Sequence, residues 1–236
     1  MRIALIGYGK MGREIEAIAR HQGETIARVF DSTRPVAAAD LSEVDVCIEF
    51  STPSAVLSNI RTAIEARKDI VVGTTGWHQH LPELREKVRD SGLLYSANFS
   101  LGMNIFQRIV ARAGDLIENA PEYDPFVHET HHRLKADSPS GTALRLAEIL
   151  LGRISRKRRM LTQTSTEKIA ADALQVTSTR AGHVTGTHVV SFDSDADLIE
   201  LRHVAKNRRG FALGALAAAR WLHGRKGIYT MDDVDL

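Results

Sequence analysis

One cysteine in the whole chain, Cys47, excludes an intrachain disulfide framework and favours a reducing compartment. It lies inside the apolar run VDVCIEF, where a buried, inert thiol is expected rather than a nucleophile. An excess of charge of one sign is missing too. The 31 basic and 29 acidic residues leave a formal charge of +2, so there is no global polycation to hold nucleic acid. The densest basic run, RISRKRR from Arg153 to Arg159, reads as a solvated loop or helix end. No apolar run approaches the ~20 residues needed to cross a bilayer. The N-terminal MRIALIGYG reaches glycine too early for the apolar region of a signal peptide. No internal repeat is visible. The expectation is a soluble, cytoplasmic protein with neither a membrane nor a nucleic-acid partner.

What is present is an α/β alternation. At 236 residues the chain can form one large domain or two small ones. Arg2–Ile6 is a short β-branched run, followed at once by Gly7-Tyr8-Gly9-Lys10-Met11-Gly12 and a helical pattern with Ile15, Ile18 and Ala19 on one face. A second run, Thr25–Phe30, ends in Asp31. Strand, G-x-G-x-x-G, helix, strand and acid together form the dinucleotide-binding fingerprint in its required context. Gly7 permits the turn, Gly9 lets backbone approach a pyrophosphate, and Gly12 lets helix and strand pack. The helix start offers N–H donors. Asp31 can accept from ribose hydroxyls and favours NAD, although Arg34 could pair with a 2′-phosphate.

Further units follow: strands at 44–50, 69–72 and 93–96, with helices from Ser54 through Ala66 and over 81–90. Three small polar loops, STPS, GTTG and ANFS, follow these strands. In an open parallel sheet, such loops converge on one ligand crevice. From about Met103 to Arg209 the pattern changes. A helix over 104–118 carries Ile105, Ile109, Ala113 and Leu116 on a common face. Candidate strands at 126–132, 174–179, 187–192 and 198–205 alternate residue by residue, as in a sheet open on one face. A final helix, 211–222, has an Ala-rich face. The predicted architecture is a Rossmann-type doubly wound parallel sheet (1–104 and 210–236). An inserted α+β domain (105–209) with an open mixed sheet is expected to bind substrate.

The segment HETHHRLKADSPSGTALRLAE, His128–Glu148, literally contains H-E-x-x-H. Zinc chemistry would need both histidines one turn apart on a helix. Phe126, Val127 and Thr130 instead favour a strand, on which residues four apart lie ~13 Å from each other. Two ligands about 2.0–2.1 Å from one zinc cannot be that distant, so no metal is expected. The rest reads as a strand leading into Ser140-Gly141-Thr142 at a helix start. Free N–H groups, partial positive charge and two hydroxyls there make a carboxylate or phosphate cradle, with His131, His132, Arg133 and Lys135 beside it. A Ser/Thr helix cap with surface basics is the plainer alternative. Successive strand residues face opposite ways, so His131 and His132 are expected to do different jobs.

HHRLKADSPSGTA closely resembles the E-x-H-H-x-x-K-x-D-x-P-S-G-T-A motif of the dihydrodipicolinate reductase (4-hydroxy-tetrahydrodipicolinate reductase) family of lysine and diaminopimelate biosynthesis. The resemblance takes in GYGKMG, FSTP, GTTG, ANFS-x-G-x-N (Ala97–Asn104) and R-A-G-x-x-x-G-x-H (Arg180–His188) in order. It implies that His131 is the proton donor/acceptor and Lys135 the catalytic lysine. His132, Ser140, Gly141 and Thr142 would bind a small dicarboxylate cyclic imine. Gly7, Tyr8, Gly9, Lys10, Met11, Gly12, Asp31, Gly73, Thr74, Thr75, Ala97, Asn98, Phe99 and Ser100 would hold NADH or NADPH. A homotetramer is implied as well, with the sheet of the inserted substrate-binding domain (105–209) as its oligomerisation surface. Two departures, Lys10 where many members have an arginine in a longer loop and a short region after Asp31, leave NADH versus NADPH open. Another imine or amino-acid dehydrogenase, or a nucleotide-sensing Rossmann protein, are the competing readings.

Overall fold

The computed structural model describes Met1–Asp235. Its first compact unit comprises Met1–Asn104 and Arg208–Leu236, and its second Ile105–Asn207. In the first unit, β1 (Arg2–Ile6), α1 (Lys10–His21), β2 (Thr25–Phe30), β3 (Val46–Glu49), α2 (Val56–Glu65), β4 (Asp69–Val72), α3 (Leu81–Lys87) and β5 (Gly92–Tyr95) follow the predicted alternation. Helix α4 (Leu101–Glu118) leads into the second unit. There follow β6 (Asp124–His131), α5 (Gly141–Leu151), β7 (Arg159–Leu161), β8 (Ala173–Arg180), β9 (Thr187–Asp193) and β10 (Leu198–Val204). Helix α6 (Arg209–Leu222) and β11 (Gly227–Thr230) complete the first unit.

The six strands of the first unit run parallel in the order β11-β5-β4-β3-β1-β2. Successive side chains point to opposite faces, and both faces are covered. Ile3, Leu5, Val46, Ile48, Val71 and Leu94 pack with α1 and α6. Ala4, Ile6, Cys47, Ile70, Val72 and Leu93 pack with α2 and α3. Double coverage is why these strands read as unbroken apolar runs rather than alternating ones. Cys47 is fully buried, and burial pushes its thiol up to about 12, so the cysteine is inert packing. The second unit holds a mixed sheet, β10-β9-β6-β8-β7, in which β6 is antiparallel to β9 and parallel to β8. This is the Rossmann-type parallel sheet plus separate mixed sheet that the sequence pattern predicts.

Four details differ from expectation. β7 and β11 carry too few residues for a periodic signal, yet each adds an edge strand, to β8 and β5 respectively. β6 begins earlier than predicted, at Asp124, and tolerates Pro125 because pairing with β8 starts only at Phe126; it ends at His131, so His132 lies beyond it. The face of α4 marked by Ile105, Ile109 and Leu116 is exposed (43%, 48% and 61%), whereas Met103, Phe106, Val110 and Ile117 are buried. Both stripes have helical spacing, and packing chose the second. Finally, the basic run is not merely solvated. Arg156 donates to the carbonyls of Ile117, Ala120 and Tyr123, where the end of α4 presents orphan acceptors and negative dipole. Lys157 is buried, donating to the Ala171 and Ala173 carbonyls and pairing with Asp124.

Asp69 ties the first unit together. Its carboxylate accepts from the Gly92 N–H at 2.7 Å and the Gly224 N–H at 2.9 Å, joining the start of β4 to β5 and to the turn after α6. Substitution Asp69→Ala leaves these donors unpaired and is expected to destabilise the chain by about 2 kcal/mol, measured by urea unfolding; an unchanged midpoint would remove this role.

Candidate active site

The carboxyl ends of β1, β3, β4 and β5 carry the loops at Gly7, Ser51, Gly73 and Ala97. The chain leaves β1 toward β2 on one side, and β3 lies on the other, so the switch point of the sheet falls at Gly7. Gly7 has φ +94°, and a Cβ there would lie 2.2 Å from the Phe50 carbonyl oxygen. A Cβ on Gly12 would lie 2.4 Å from the Gly7 carbonyl oxygen, so α1 sits hard against the turn. A Cβ on Gly9 would meet nothing within 4 Å. Gly9 is also the N-cap of α1, which has no side-chain cap and no acid in its first turn. An uncapped, positively polarised helix start facing open space fits a pyrophosphate. Lys10 is exposed, Tyr8 and Met11 are half-buried, and Tyr8 donates to Glu16.

Asp31 follows β2 and is exposed. Its Oδ1 accepts from the Thr33 hydroxyl at 2.7 Å, the Thr33 N–H at 2.9 Å and the Arg34 N–H at 3.1 Å. These bonds, the hydroxyl's first, hold its carboxyl below the usual range, so it is negative at neutral pH. In the GTTG loop, Gly73 is backed by the Phe50 ring, and the Thr74 carbonyl accepts from the Trp77 indole at 2.8 Å; Thr75 is exposed. In the ANFS loop the Phe99 and Ser100 side chains are buried, and Phe99 packs edge-on to Phe50 at 5.7 Å. These two can offer a ligand only backbone, while Ala97 and Asn98 remain accessible.

In the second unit, burial alternates along β6, and Glu129 and His131 share its covered face. His128 points the other way, its Nδ1 2.8 Å from the Thr177 hydroxyl, so the literal H-E-x-x-H does not converge. Glu129 is fully buried. Its Oε2 is hydrogen-bonded to His131 Nδ1, while Oε1 accepts from Arg180 at 2.7 Å and from the Ser140 N–H at 3.1 Å. Burial alone would raise the Glu129 pKa; the Arg180, His131 and Ser140 bonds outweigh it, and the net shift is downward. His188 lies edge-on to His131, ring centres 5.2 Å apart, with its Nε2 3.3 Å from the Ser140 hydroxyl. Glu129, His131 and His188 present ligand-type atoms within 4.8 Å of one another. The carboxylate is already taken by a guanidinium, an imidazole and a backbone N–H, which suits proton handling better than a metal ion.

Ser140 caps α5, accepting from the Ala143 N–H at 3.3 Å. A Cβ on Gly141 would meet nothing within 4 Å, so the helix start is open there; Thr142 follows, half-buried. Lys135 pairs with Asp137 at 2.8 Å. The Lys135 bond first, with help from the Gly141 N–H, holds the Asp137 carboxyl down. Asp137 therefore pairs with the ammonium and lies close to the helix start that the sequence pattern assigns to an anionic ligand. His132 and Arg133 line a separate cavity of about 250 Å³ with Leu134, Gly182 and His183. His131, Lys135 and Ser140 thus belong to one bonded network through Glu129 and Arg180, with Gly141 next in the chain, while His132 lines the cavity.

Sequence reasoning assigned no role to Glu129, Asp137, Arg180 or His188. Sheet register was the absent information: β8 places Arg180 opposite His131, and β9 places His188 opposite Glu129. Burial, then the neighbouring His131, lowers the His188 pKa to about 4. Below pH 6.5 the unfolded chain binds a proton that folded His188 refuses. This share of stability is complete above pH 6.5 and is lost as pH falls toward 4. Between pH 7 and 4, the wild-type chain is expected to lose about 3 kcal/mol more than His188→Gln in urea unfolding; equal losses would contradict a neutral buried imidazole.

Comparison with known proteins agrees with this layout. Residues 1–99 match the family model for the dihydrodipicolinate reductase N-terminus, and residues 102–234 that for its C-terminus. A 4-hydroxy-tetrahydrodipicolinate reductase of Christiangramia forsetii is 40% identical over 238 residues, covering 99% of this chain and 97% of the relative. A protein of the same name from Rickettsia rickettsii is 36% identical, covering 96% and 95%. The fold is shared with the dipicolinate-bound dihydrodipicolinate reductase of Paenisporosarcina sp. TG-14 (TM-score 0.76, 20% identity, 100% and 99% covered). The chain belongs to the dihydrodipicolinate reductase family.

Proposed function

We propose that this chain is an NAD(P)H-dependent reductase. It takes 4-hydroxy-tetrahydrodipicolinate, through the dehydrated cyclic imine, to tetrahydrodipicolinate in lysine and diaminopimelate biosynthesis. The observation that carries this reading is the second-unit network: a carboxylate-bound histidine and an ion-paired lysine beside an open helix start. When bound, the reduced nicotinamide supplies hydride to C4 of the conjugated imine. That addition leaves an electron-rich enamine whose neighbouring carbon must take up a proton. His131 and Lys135 are the groups that can deliver one, through Nε2 and Nζ. The Gly141 and Thr142 N–H groups, with the Thr142 hydroxyl, are the donors for a ring carboxylate, and the buried Ser140 hydroxyl shapes that corner by capping the helix. As that carboxylate arrives it replaces Asp137 at the Gly141 N–H, releasing Lys135 toward the dianion. His132, which lines its own cavity with Arg133, is read as a further substrate contact on the strength of the motif resemblance alone.

Gly7–Gly12, Asp31, Gly73–Thr75 and Ala97–Ser100 hold the dinucleotide in this reading, with NADH preferred. A 2′-phosphate would meet the ionised Asp31, and Arg34 is engaged with Asp40 at 3.7 Å and with the Phe30 ring. The test couples imine formation from pyruvate and aspartate semialdehyde to nicotinamide absorbance. Turnover is expected with a lower KM for NADH than for NADPH. Substitutions His131→Ala and Lys135→Ala should each lower kcat by about 100-fold or more while NADH binding persists. Turnover of a different imino or keto acid instead, or unchanged rates in both variants, would overturn the assignment.

The oligomer is read as a homotetramer assembled through the second unit. Edge strand β10 exposes Leu198, Ile199 and Val204, and α4 exposes a stripe of its own, a patterned apolar surface of the kind that partners cover. Sedimentation is expected to give four subunits, reduced by Ile199→Glu; a wild-type monomer would contradict it.

A further inference from the structure

The proposed chemistry gives His131 a proton to handle but no reason for the proton to sit where it is needed. We propose that Glu129, clamped by Arg180, is the positioning residue that fixes the His131 imidazole by binding Nδ1 and leaves Nε2 as its working nitrogen. This deepens the proposed reductase mechanism and rests on it.

Three observations support this. First, both oxygens of the fully buried Glu129 are committed: Oε2 to His131 Nδ1, Oε1 to Arg180 and the Ser140 N–H. A bound Nδ1 leaves Nε2 as the working atom. Second, Arg180 does more than neutralise Glu129. Its Nε donates to the Lys135 carbonyl at 3.2 Å and its Nη2 to the Asp137 carbonyl, so one guanidinium sets both the histidine's partner and the loop that carries the lysine. Third, the space at Nε2 is kept by Gly186, where a Cβ would lie 2.9 Å from that nitrogen and φ is +149°. Arg180, Gly186 and His188 come from the R-A-G-x-x-x-G-x-H stretch of the sequence, and all three surround His131.

The groups packed around His131 are Glu129 on its own strand, Arg180 on β8 and His188 on β9; His203 on β10 lies opposite His188, and Lys135 with Asp137 sits on the following loop. Lys135 and Asp137 pair with each other, and burial disfavours charge on His188 and His203. Glu129 is therefore the nearest charge that favours imidazolium. Removing an adjacent opposite charge lowers a histidine's pKa by about one unit or more.

The test is Glu129→Gln, which keeps shape and removes charge, studied by steady-state kinetics against pH and by ¹⁵N NMR of labelled histidines. Expected are a kcat reduced about tenfold or more with KM for the imine and NADH affinity little changed, and a high-pH limb displaced downward by about one unit. In a His131→Ala background the same substitution should add no further loss. Additive losses, or a limb that stays in place, would overturn the proposal. If Glu129→Gln fails to fold with Arg180 left unpaired, Glu129→Gln with Arg180→Gln removes both charges and should move the limb the same way. The NMR titration needs no turnover. Should the coupled assay show no imine reduction, a lower His131 midpoint in the variant still supports the positioning role, and an identical midpoint refutes it.

Discussion

A carboxylate with no exposure to water lies at the centre of the second unit. An isolated buried carboxylate costs several kcal/mol even after relaxation, and it stays ionised only if every lone pair is met by a donor. Glu129 meets that condition by recruiting from three directions: Arg180 on β8, the Ser140 N–H at the start of α5, and His131 on its own strand. These bonds fix the register of β6 against β8, the approach of α5 to the sheet and the orientation of one imidazole. Loss of any partner would leave charge unpaired in the core, so the site is tied to the stability of its sheet.

The same pairing of charge explains how the network suits an acidic ligand. Arg180 is engaged by Glu129, and Lys135 is paired with Asp137, which also lies close to the Gly141 N–H. Without ligand, neither Lys135 nor Arg180 is left unpaired near the open helix start. A ligand carboxylate can take the place of Asp137 without creating an unpaired charge, because Asp137 is about half exposed and can turn to water. The first unit works by the opposite device. There the turn at Gly7 and the start of α1 are kept bare, and backbone N–H groups rather than side chains face the open space.

Much of the fold was legible because burial on two faces and burial on one leave different marks. The runs Ile3–Ile6 and Ile70–Val72 are apolar throughout, whereas β6 alternates, and the structure assigns them to a doubly covered and a singly covered sheet respectively. The failures have equally physical causes. Strands of three and four residues, Arg159–Leu161 and Gly227–Thr230, are too short to show a period and exist because an edge was available. In α4 two stripes share helical spacing, and periodicity alone does not say which one the core selects. In the site, His131, Lys135 and the Ser-Gly-Thr corner announced themselves through local spacing. Arg180 and His188 lie some fifty residues away in sequence and reach His131 only through strand register, which no local pattern encodes.

The most direct measurement is a crystal structure of the chain with NADH and a pyridine-2,6-dicarboxylate. The expected result is one ring carboxylate on the Gly141 and Thr142 N–H groups, Asp137 withdrawn from Gly141, and Lys135 and His131 against the ring with the Glu129–Arg180 pair unmoved. A ring bound elsewhere, with Asp137 still on the helix start, would contradict it.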